Sequence, residues 1–184
     1  DDDITKFKNV VLEVLGEYDP KYDLEPAERH MASFRNAKPK YSYELKRGLC
    51  ETLIIHSLFG KEYGIATTIN PKSVVDNLVR ELLSNADEKL LRSLRHNMML
   101  IAEASPNIFL EQIETIIDDG RINGFFEIQD GILNSSNDLP YLLWSLEEIA
   151  WMPENLTQVS RIICKIINKS PAKLPISNTP FNTL

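Results

Sequence analysis

The residues of this 184-residue chain best suited to chemistry are its three histidines and two cysteines. His30, His56 and His96 fall on three different predicted helices, and none has a second His or Cys three or four residues away, as a helical metal site would need. Cys50 lies in mid-helix without a neighbouring base or a helix N-terminus that would stabilise a thiolate. We therefore predict no metal and no cofactor, and we interpret Cys50 and Cys164 as buried free thiols, with a long-range disulfide as the alternative.

Other nucleophile and phosphate-binding patterns are missing from the sequence. Ser33, Ser57 and Ser145 lack the flanking glycines of a nucleophile elbow. No glycine-rich loop long enough to surround a phosphate occurs, so nucleotide hydrolysis is not predicted for this chain. The sequence thus predicts a non-enzymatic function.

A basic and aromatic cluster is the only feature that suggests nucleic-acid binding. Lysine or arginine beside tyrosine suits single-stranded nucleic acid. Acidic neighbours and a net charge of −7 oppose that interpretation, and we expect a solvated surface instead. The cluster comprises Arg35, Lys38, Lys40, Tyr41, Tyr43, Lys46 and Arg47.

An aromatic stripe is the candidate partner-binding surface. Tyr141, Trp144, Glu148 and Trp151 are spaced i, i+3, i+7 and i+10, so they share one side of a predicted helix. Tyrosine and tryptophan are frequent at the energetic centres of interfaces. The alternative is packing against a neighbouring repeat, which we favour because Trp151 stands at a tight helix–Pro–helix turn that needs a large side chain to fill it.

The elements that carry these residues repeat along the chain. Leu94–Ile117 and Tyr141–Ile163 each contain an apolar helix with an Ile-Ala pair, and a proline then opens a second apolar helix. The prolines, Pro106 and Pro153, are 47 residues apart, and the alanines of the two pairs are 48 residues apart. This unit and period are typical of HEAT and armadillo arrays.

Helical spacing and capping signals extend the pattern to the rest of the chain. We predict an all-α fold, a right-handed HEAT/armadillo-like α-α superhelix of about eight antiparallel helices. Residues 1–170 form one helical-repeat domain, with predicted N-caps at Ser42, Asn70, Asp87, Ser105 and Asp138. The predicted helices include Glu25–Asn36, one running from Asp87 to Ala102, and a last one opened by Pro153; Arg121–Asn137 is an excursion with a short helix at Phe125–Gln129.

The ends of the chain and one internal segment complete the prediction. A strand at Tyr63–Ile69 would have no partner. Residues 171–184 form an extended segment whose Leu174, Ile176 and Phe181 pack near Trp144 or Trp151. The chain begins without Met and ends on NTPFNTL, so we expect a piece of a larger protein whose missing domain follows.

Three motifs resemble the helical region of very large bacterial proteins, some of them similar to STAND-type signalling or defence NTPases. They are LKRGLCETL (Leu45–Leu53), LLWSLEEIAWMPENLTQVSRI (Leu142–Ile162) with its Ala-Trp-x-Pro junction, and NTPFNTL (Asn178–Leu184). The resemblance covers most of Leu45–Leu184 and implies a repeat region beside another domain, where such regions sense or bind a trigger.

These observations together favour a non-catalytic protein-interaction or scaffold module of a larger bacterial protein. The alternatives are a sensor arm of a STAND-type NTPase and an enzyme built on a HEAT-like scaffold. No apolar run is long enough for a membrane span, so we expect a cytoplasmic protein whose partner is another protein or another domain of the same chain, with nucleic acid and membrane disfavoured.

Overall fold

A computed structural model of the chain describes residues 2–62, 70–130 and 135–171. The strand considered at Tyr63–Ile69 lies outside these residues. So does the predicted packing of Leu174, Ile176 and Phe181.

Helices account for nearly all the regular structure. The α-helices are α1 (Asp2–Leu15), α2 (Tyr43–Phe59), α3 (Pro71–Ser84), α4 (Glu88–Ser93), α5 (Met98–Ala104), α6 (Pro106–Asp118), α7 (Leu139–Ala150) and α8 (Leu156–Lys169). Short 3₁₀ helices span Pro20–Asp23, Pro26–Met31, Arg95–Asn97 and Asn123–Phe126. Within the described residues the only strands are the two-residue pair β1 (Gln129–Asp130) and β2 (Ser135–Ser136), which are antiparallel. The fold class is all-α, as predicted.

Three predicted helix starts are confirmed, each with a side-chain cap. The Ser42 hydroxyl accepts a hydrogen bond from the Leu45 amide at 3.2 Å. The Asn70 side chain accepts one from Lys72 at 3.1 Å, and Asp87 accepts one from Leu90 at 2.8 Å. Each bond satisfies one of the amides that a first helical turn leaves without a partner.

The helix starts predicted at Ser105 and Asp138 are in the predicted place but lack the predicted side-chain cap, because tertiary contacts use these side chains, and the start predicted at Pro153 is wrong. Ser105 precedes α6 without capping it, and its hydroxyl instead donates to Asp76 on α3 at 2.6 Å. Asp138 likewise precedes α7 without capping it, and it accepts hydrogen bonds from arginine. Pro153 lies in a turn, and α8 begins only at Leu156.

Three predicted helices differ more strongly from the structure. Glu25–Asn36 is not an α-helix but contains a 3₁₀ helix at Pro26–Met31, and Asn36 has a positive φ of 57° that no helix continues through. The helix predicted from Asp87 to Ala102 is divided into α4, the 3₁₀ turn Arg95–Asn97 and α5. The helix predicted at Phe125–Gln129 is a 3₁₀ turn beginning at Asn123.

The helices pack in two rows. In one row α5 lies between α2 and α7, and in the other α6 lies between α3 and α8. Successive helices α2 and α3, α5 and α6, and α7 and α8 also contact each other, while α1 packs on α2 and α3. A continuous apolar core runs through both rows, with fully buried residues from every helix: Leu15, Leu53, Leu83, Leu91, Ile101, Leu110, Leu146 and Ile162.

Candidate functional site

The basic cluster considered for nucleic acid is largely neutralised by ion pairs. Four of its five cations each lie within salt-bridge distance of a glutamate. The pairs are Arg35–Glu28 at 2.7 Å, Lys40–Glu13 at 3.1 Å, Lys46–Glu17 at 3.2 Å and Arg47–Glu51 at 2.8 Å. Paired cations attract a polyanion weakly, so this surface has little of the field that nucleic acid requires.

The three histidines lie on different elements: His30 in the 3₁₀ helix Pro26–Met31, His56 on α2 and His96 in the 3₁₀ turn Arg95–Asn97. His56 stacks on Phe7 with ring centroids 5.1 Å apart, and burial lowers the pKa of His56. Burial, and then the charges of Arg95 and Lys21, lower the pKa of His96. Among the described residues no group of three His, Cys, Asp or Glu side chains could hold a metal ion.

The two cysteines differ in their surroundings. Cys50 is fully buried in α2, and burial raises the pKa of its thiol to about 12. Cys164 is exposed, so the prediction that both thiols are buried is wrong for Cys164. It sits on α8, whose inward face is formed by Val159, Ile162, Ile163 and Ile166. Both are free thiols, and a disulfide between them is not formed.

A buried charge network that the sequence analysis missed joins distant parts of the chain. Arg92 is 2% exposed, and its Nε donates to Oδ2 of Asp138 at 2.8 Å. Nε of Arg95 lies 3.3 Å from the other oxygen of Asp138. The Tyr22 hydroxyl donates to Asp138 and accepts from Arg95 at 2.6 Å. The network therefore fastens the N-terminal segment and α4 to the start of α7.

Glu127 closes the network on its outer side. It accepts from Arg29 at 2.8 Å and contacts Arg92, and these arginines lower the pKa of Glu127 although burial opposes them. A cavity of about 300 Å³ opens there, lined by Tyr22, Arg29, Glu88, Lys89, Arg92, Asn123, Gly124 and Glu127. Nη2 of Arg92 is buried and has no hydrogen-bond partner in the described part of the chain.

Each cation around this cavity is ion-paired, so we interpret the network as structural. Arg92 and Arg95 share Asp138, Arg29 and Arg92 share Glu127, and Lys89 pairs with Asp23 at 2.5 Å. A small anion would have to displace Glu127 from two arginines at once. Removal of one partner of such a buried pair costs far more than its formation contributes.

The predicted aromatic residues divide between a packed row and an exposed face. His96 meets Tyr43 edge-on at 6.0 Å between ring centroids and Tyr141 at 4.7 Å. Trp144 meets Tyr141 edge-on at 5.5 Å. Tyr141 is therefore partly packed, on α7 against the 3₁₀ turn of the preceding helix pair.

Trp151 does not fill the turn between α7 and α8, contrary to our prediction. Its exposed fraction is 81%, against 43% for Trp144. The turn is closed without the indole, because the Asn155 amide donates to the Met152 carbonyl at 2.9 Å and the Asn155 side chain is itself buried. Trp151 is therefore left facing solvent immediately after α7.

Two carboxylates lie between these tryptophans. Trp144, Glu147, Glu148 and Trp151 are all exposed and are spaced i, i+3, i+4 and i+7, so they form one stripe, which we call the α7 face. Glu147 and Glu148 make no ion pair with the described residues. Four glutamates beside the basic cluster, in contrast, each pair with one of its cations. The α7 face is thus both apolar and negatively charged.

A comparison of the chain with protein-family models, with curated proteins and with solved structures finds no match. In the part of the chain that the structure describes, no helix has the length and apolar character needed to cross a bilayer.

Proposed function

We propose that this chain is a non-catalytic protein-interaction or scaffold module of a larger cytoplasmic protein, and that it binds its partner through the α7 face. The observation that carries the proposal is the exposure of Trp151 and Trp144, 81% and 43%, on one side of a regular helix. Exposed single apolar residues are ordinary, but tryptophan is the residue most enriched at the energetic centres of interfaces. Trp144 lies in α7, and Trp151 follows its last residue as the C-cap with helical φ and ψ of −66° and −15°, so the backbone sets the separation of the two indoles before a partner arrives.

The scaffold of the proposal is a HEAT/armadillo-like α-α superhelix. Two ion pairs between α6 and α8 support it, Glu114–Arg161 at 2.7 Å and Asp118–Lys165 at 2.8 Å. Both pairs join residues 47 positions apart, the same separation as Pro106 and Pro153. Stacked repeats bring equivalent positions of neighbouring units together, so a constant offset equal to the repeat period is expected of such an array.

The position of the α7 face within this array suits a binding role. α7 and α8 form the last helix pair of the described stack, and the outward side of α7 carries no helix against it in the described residues. Leu156, at the start of α8 and five residues after Trp151, is also exposed, at 52%. Repeat proteins use such continuous exposed faces to bind extended partners.

The test is a selection of random peptides displayed on phage against the full chain. Enriched peptides are then measured against Trp144→Ala/Trp151→Ala and against Phe34→Ala, a control that removes another exposed aromatic side chain, 90% exposed and far from α7 in sequence. We expect binding to survive in the control and to disappear in the double variant. Peptides that bind the double variant as tightly as the original chain, or a selection without enrichment, would contradict the proposal.

A further inference from the structure

The charges of the α7 face restrict the kind of partner it can bind. α7 contains no lysine or arginine, and Glu147 and Glu148 follow each other between the two tryptophans. Glu154 lies just beyond Trp151 and is also exposed. None of these three carboxylates forms an ion pair within the described residues. The surface therefore presents three carboxylates without an ion pair in the described structure, within the eight residues from Glu147 to Glu154.

The spacing places the carboxylates of Glu147 and Glu148 beside the two indoles, where a cation of a partner could contact both an aromatic ring and a negative charge. Trp144 and Trp151 are seven residues apart, about 10.5 Å along the helix, at a rise of about 1.5 Å per residue. Glu147 is three residues after Trp144, and Glu148 is three residues before Trp151, so each carboxylate lies beside one indole.

A lysine or arginine side chain fits this arrangement better than any other group. Its charged end is attracted to the face of tryptophan, the strongest of the aromatic rings for cation–π contact. Its aliphatic stem packs on the indole while its charge pairs with the adjacent carboxylate. A polyanion is repelled by the same carboxylates, and by the net charge of −7.

We propose that the α7 face binds a basic polypeptide segment, with a lysine or arginine seated between Trp144 and Trp151 against Glu147 and Glu148. This inference rests on the proposed function and names the chemistry of the partner. A second copy of this chain is a poor occupant, because most cations of its basic cluster are already paired.

The first experiment measures the charge at the indoles directly, without any partner. The chain contains two tryptophans in all, Trp144 and Trp151, so its tryptophan fluorescence comes from the α7 face alone. Each ion is referred to its own quenching of a free, neutral tryptophan amide, because caesium and iodide differ in intrinsic efficiency. On that scale we expect caesium to quench the chain's fluorescence more strongly than iodide, and Glu147→Gln/Glu148→Gln to reduce the difference. Equal relative quenching by the two ions in the unmodified chain would overturn the inference.

The second experiment uses the peptides enriched in the phage selection, made without tryptophan. We expect an excess of lysine and arginine in them, and tryptophan fluorescence then reports their binding. Glu147→Gln/Glu148→Gln should weaken binding about fivefold, since each exposed charge pair contributes modestly. The matched control, Glu25→Gln/Glu62→Gln, removes two exposed charges elsewhere and should leave the affinity unchanged.

The outcomes separate the two proposals. Two results would overturn the proposal of a basic partner without contradicting the α7 face as a binding surface. In the first, peptides that need Trp144 and Trp151 are neutral or acidic. In the second, their affinity is unchanged by Glu147→Gln/Glu148→Gln. A selection without tryptophan-dependent peptides would overturn both proposals. Sedimentation that shows self-association abolished by Trp144→Ala/Trp151→Ala would assign the surface to a second copy. A shift of the emission maximum on Phe181→Ala would assign it to the chain's own C-terminal segment, and either result overturns the inference.

Discussion

Asp138 illustrates at the scale of single residues how a local sequence pattern gives way to a distant contact. An aspartate followed by Leu139-Pro140 is a strong N-cap pattern, yet the carboxylate turns inward to Arg92 and Arg95. The energetic reason is that two buried guanidinium groups without a counter-charge would be far costlier than one uncapped helix. Asp138 therefore does not cap α7, because its ion pairs with Arg92 and Arg95 contribute more free energy than a cap would.

Asp138→Asn should therefore destabilise the fold strongly, by about 3–5 kcal/mol, because it leaves two arginines without their shared negative charge. The free energy of unfolding in urea measures the effect. Glu51→Gln is the control, since it removes an exposed partner from the helical pair with Arg47 and should change the free energy of unfolding very little. Similar losses in both variants would show that the Asp138 network does not stabilise the molecule.

The two thiols should react very differently with a maleimide at neutral pH. Cys164 is exposed and should be modified in the native chain, whereas Cys50 is buried and its pKa is raised to about 12. Mass spectrometry should show a single modification before unfolding and a second one in denaturant. In Cys164→Ser the native chain should remain unmodified; rapid modification of that variant would show that Cys50 is accessible.

At the scale of elements, the 3₁₀ turn Asn123–Phe126 approaches α4 closely at Gly124, which has no side chain. A Cβ atom added at Gly124 would lie 2.5 Å from Cγ of Glu88 and 2.3 Å from its Oε1. Glu88 therefore occupies the space that any larger residue at position 124 would need. The close approach keeps this turn on the cavity beside Arg92 and Glu127.

Gly124→Ala should destabilise the protein by no more than about 1 kcal/mol, because the exposed Glu88 side chain must rotate away from its position over the turn. The same substitution in a Glu88→Ala background should cost clearly less, because the colliding atoms are gone. A double-mutant cycle of unfolding free energies measures this coupling. An equal cost of Gly124→Ala in both backgrounds would show that Glu88 does not set the space at this turn.

The elements that could be predicted from sequence are those fixed by neighbouring residues. The caps at Ser42, Asn70 and Asp87 each bond to an amide two or three residues away, so a local pattern contains the whole interaction. The break between α4 and α5 could not be found in this way. It lies where Arg92 and Arg95, three residues apart on a tightened turn, both reach Asp138, 46 residues from Arg92.

The sequence predicted most of the residues that make up the α7 face, but not that their side chains are exposed to solvent. Spacing placed Trp144, Glu148 and Trp151 on one side of a helix, which the structure retains. Their exposure depended on the turn after α7, where buried Asn155 takes the place expected for Trp151. A one-dimensional pattern indicates which residues share a face, but the residues covering that face come from elsewhere in the fold.

At the scale of the whole molecule, the two rows of helices share one continuous core from α1 to α8. A repeat array can lose cooperativity between its ends, because each unit contacts only its neighbours. Here α5 and α6 are both sandwiched between the first and last pairs. We therefore expect the ends to unfold together.

Two native probes at opposite ends of the stack can check this expectation. Cys50 lies on α2, in the first pair, and the two tryptophans lie on or next to α7, in the last pair. Urea transitions followed by Cys50 modification in Cys164→Ser, by tryptophan fluorescence and by far-ultraviolet circular dichroism should have the same midpoint, because no unit can expose its face without exposing that of its neighbour. A fluorescence midpoint clearly below that of Cys50 would mean that α7 and α8 open first, and that the α7 face belongs to a separately unfolding end of the helix stack.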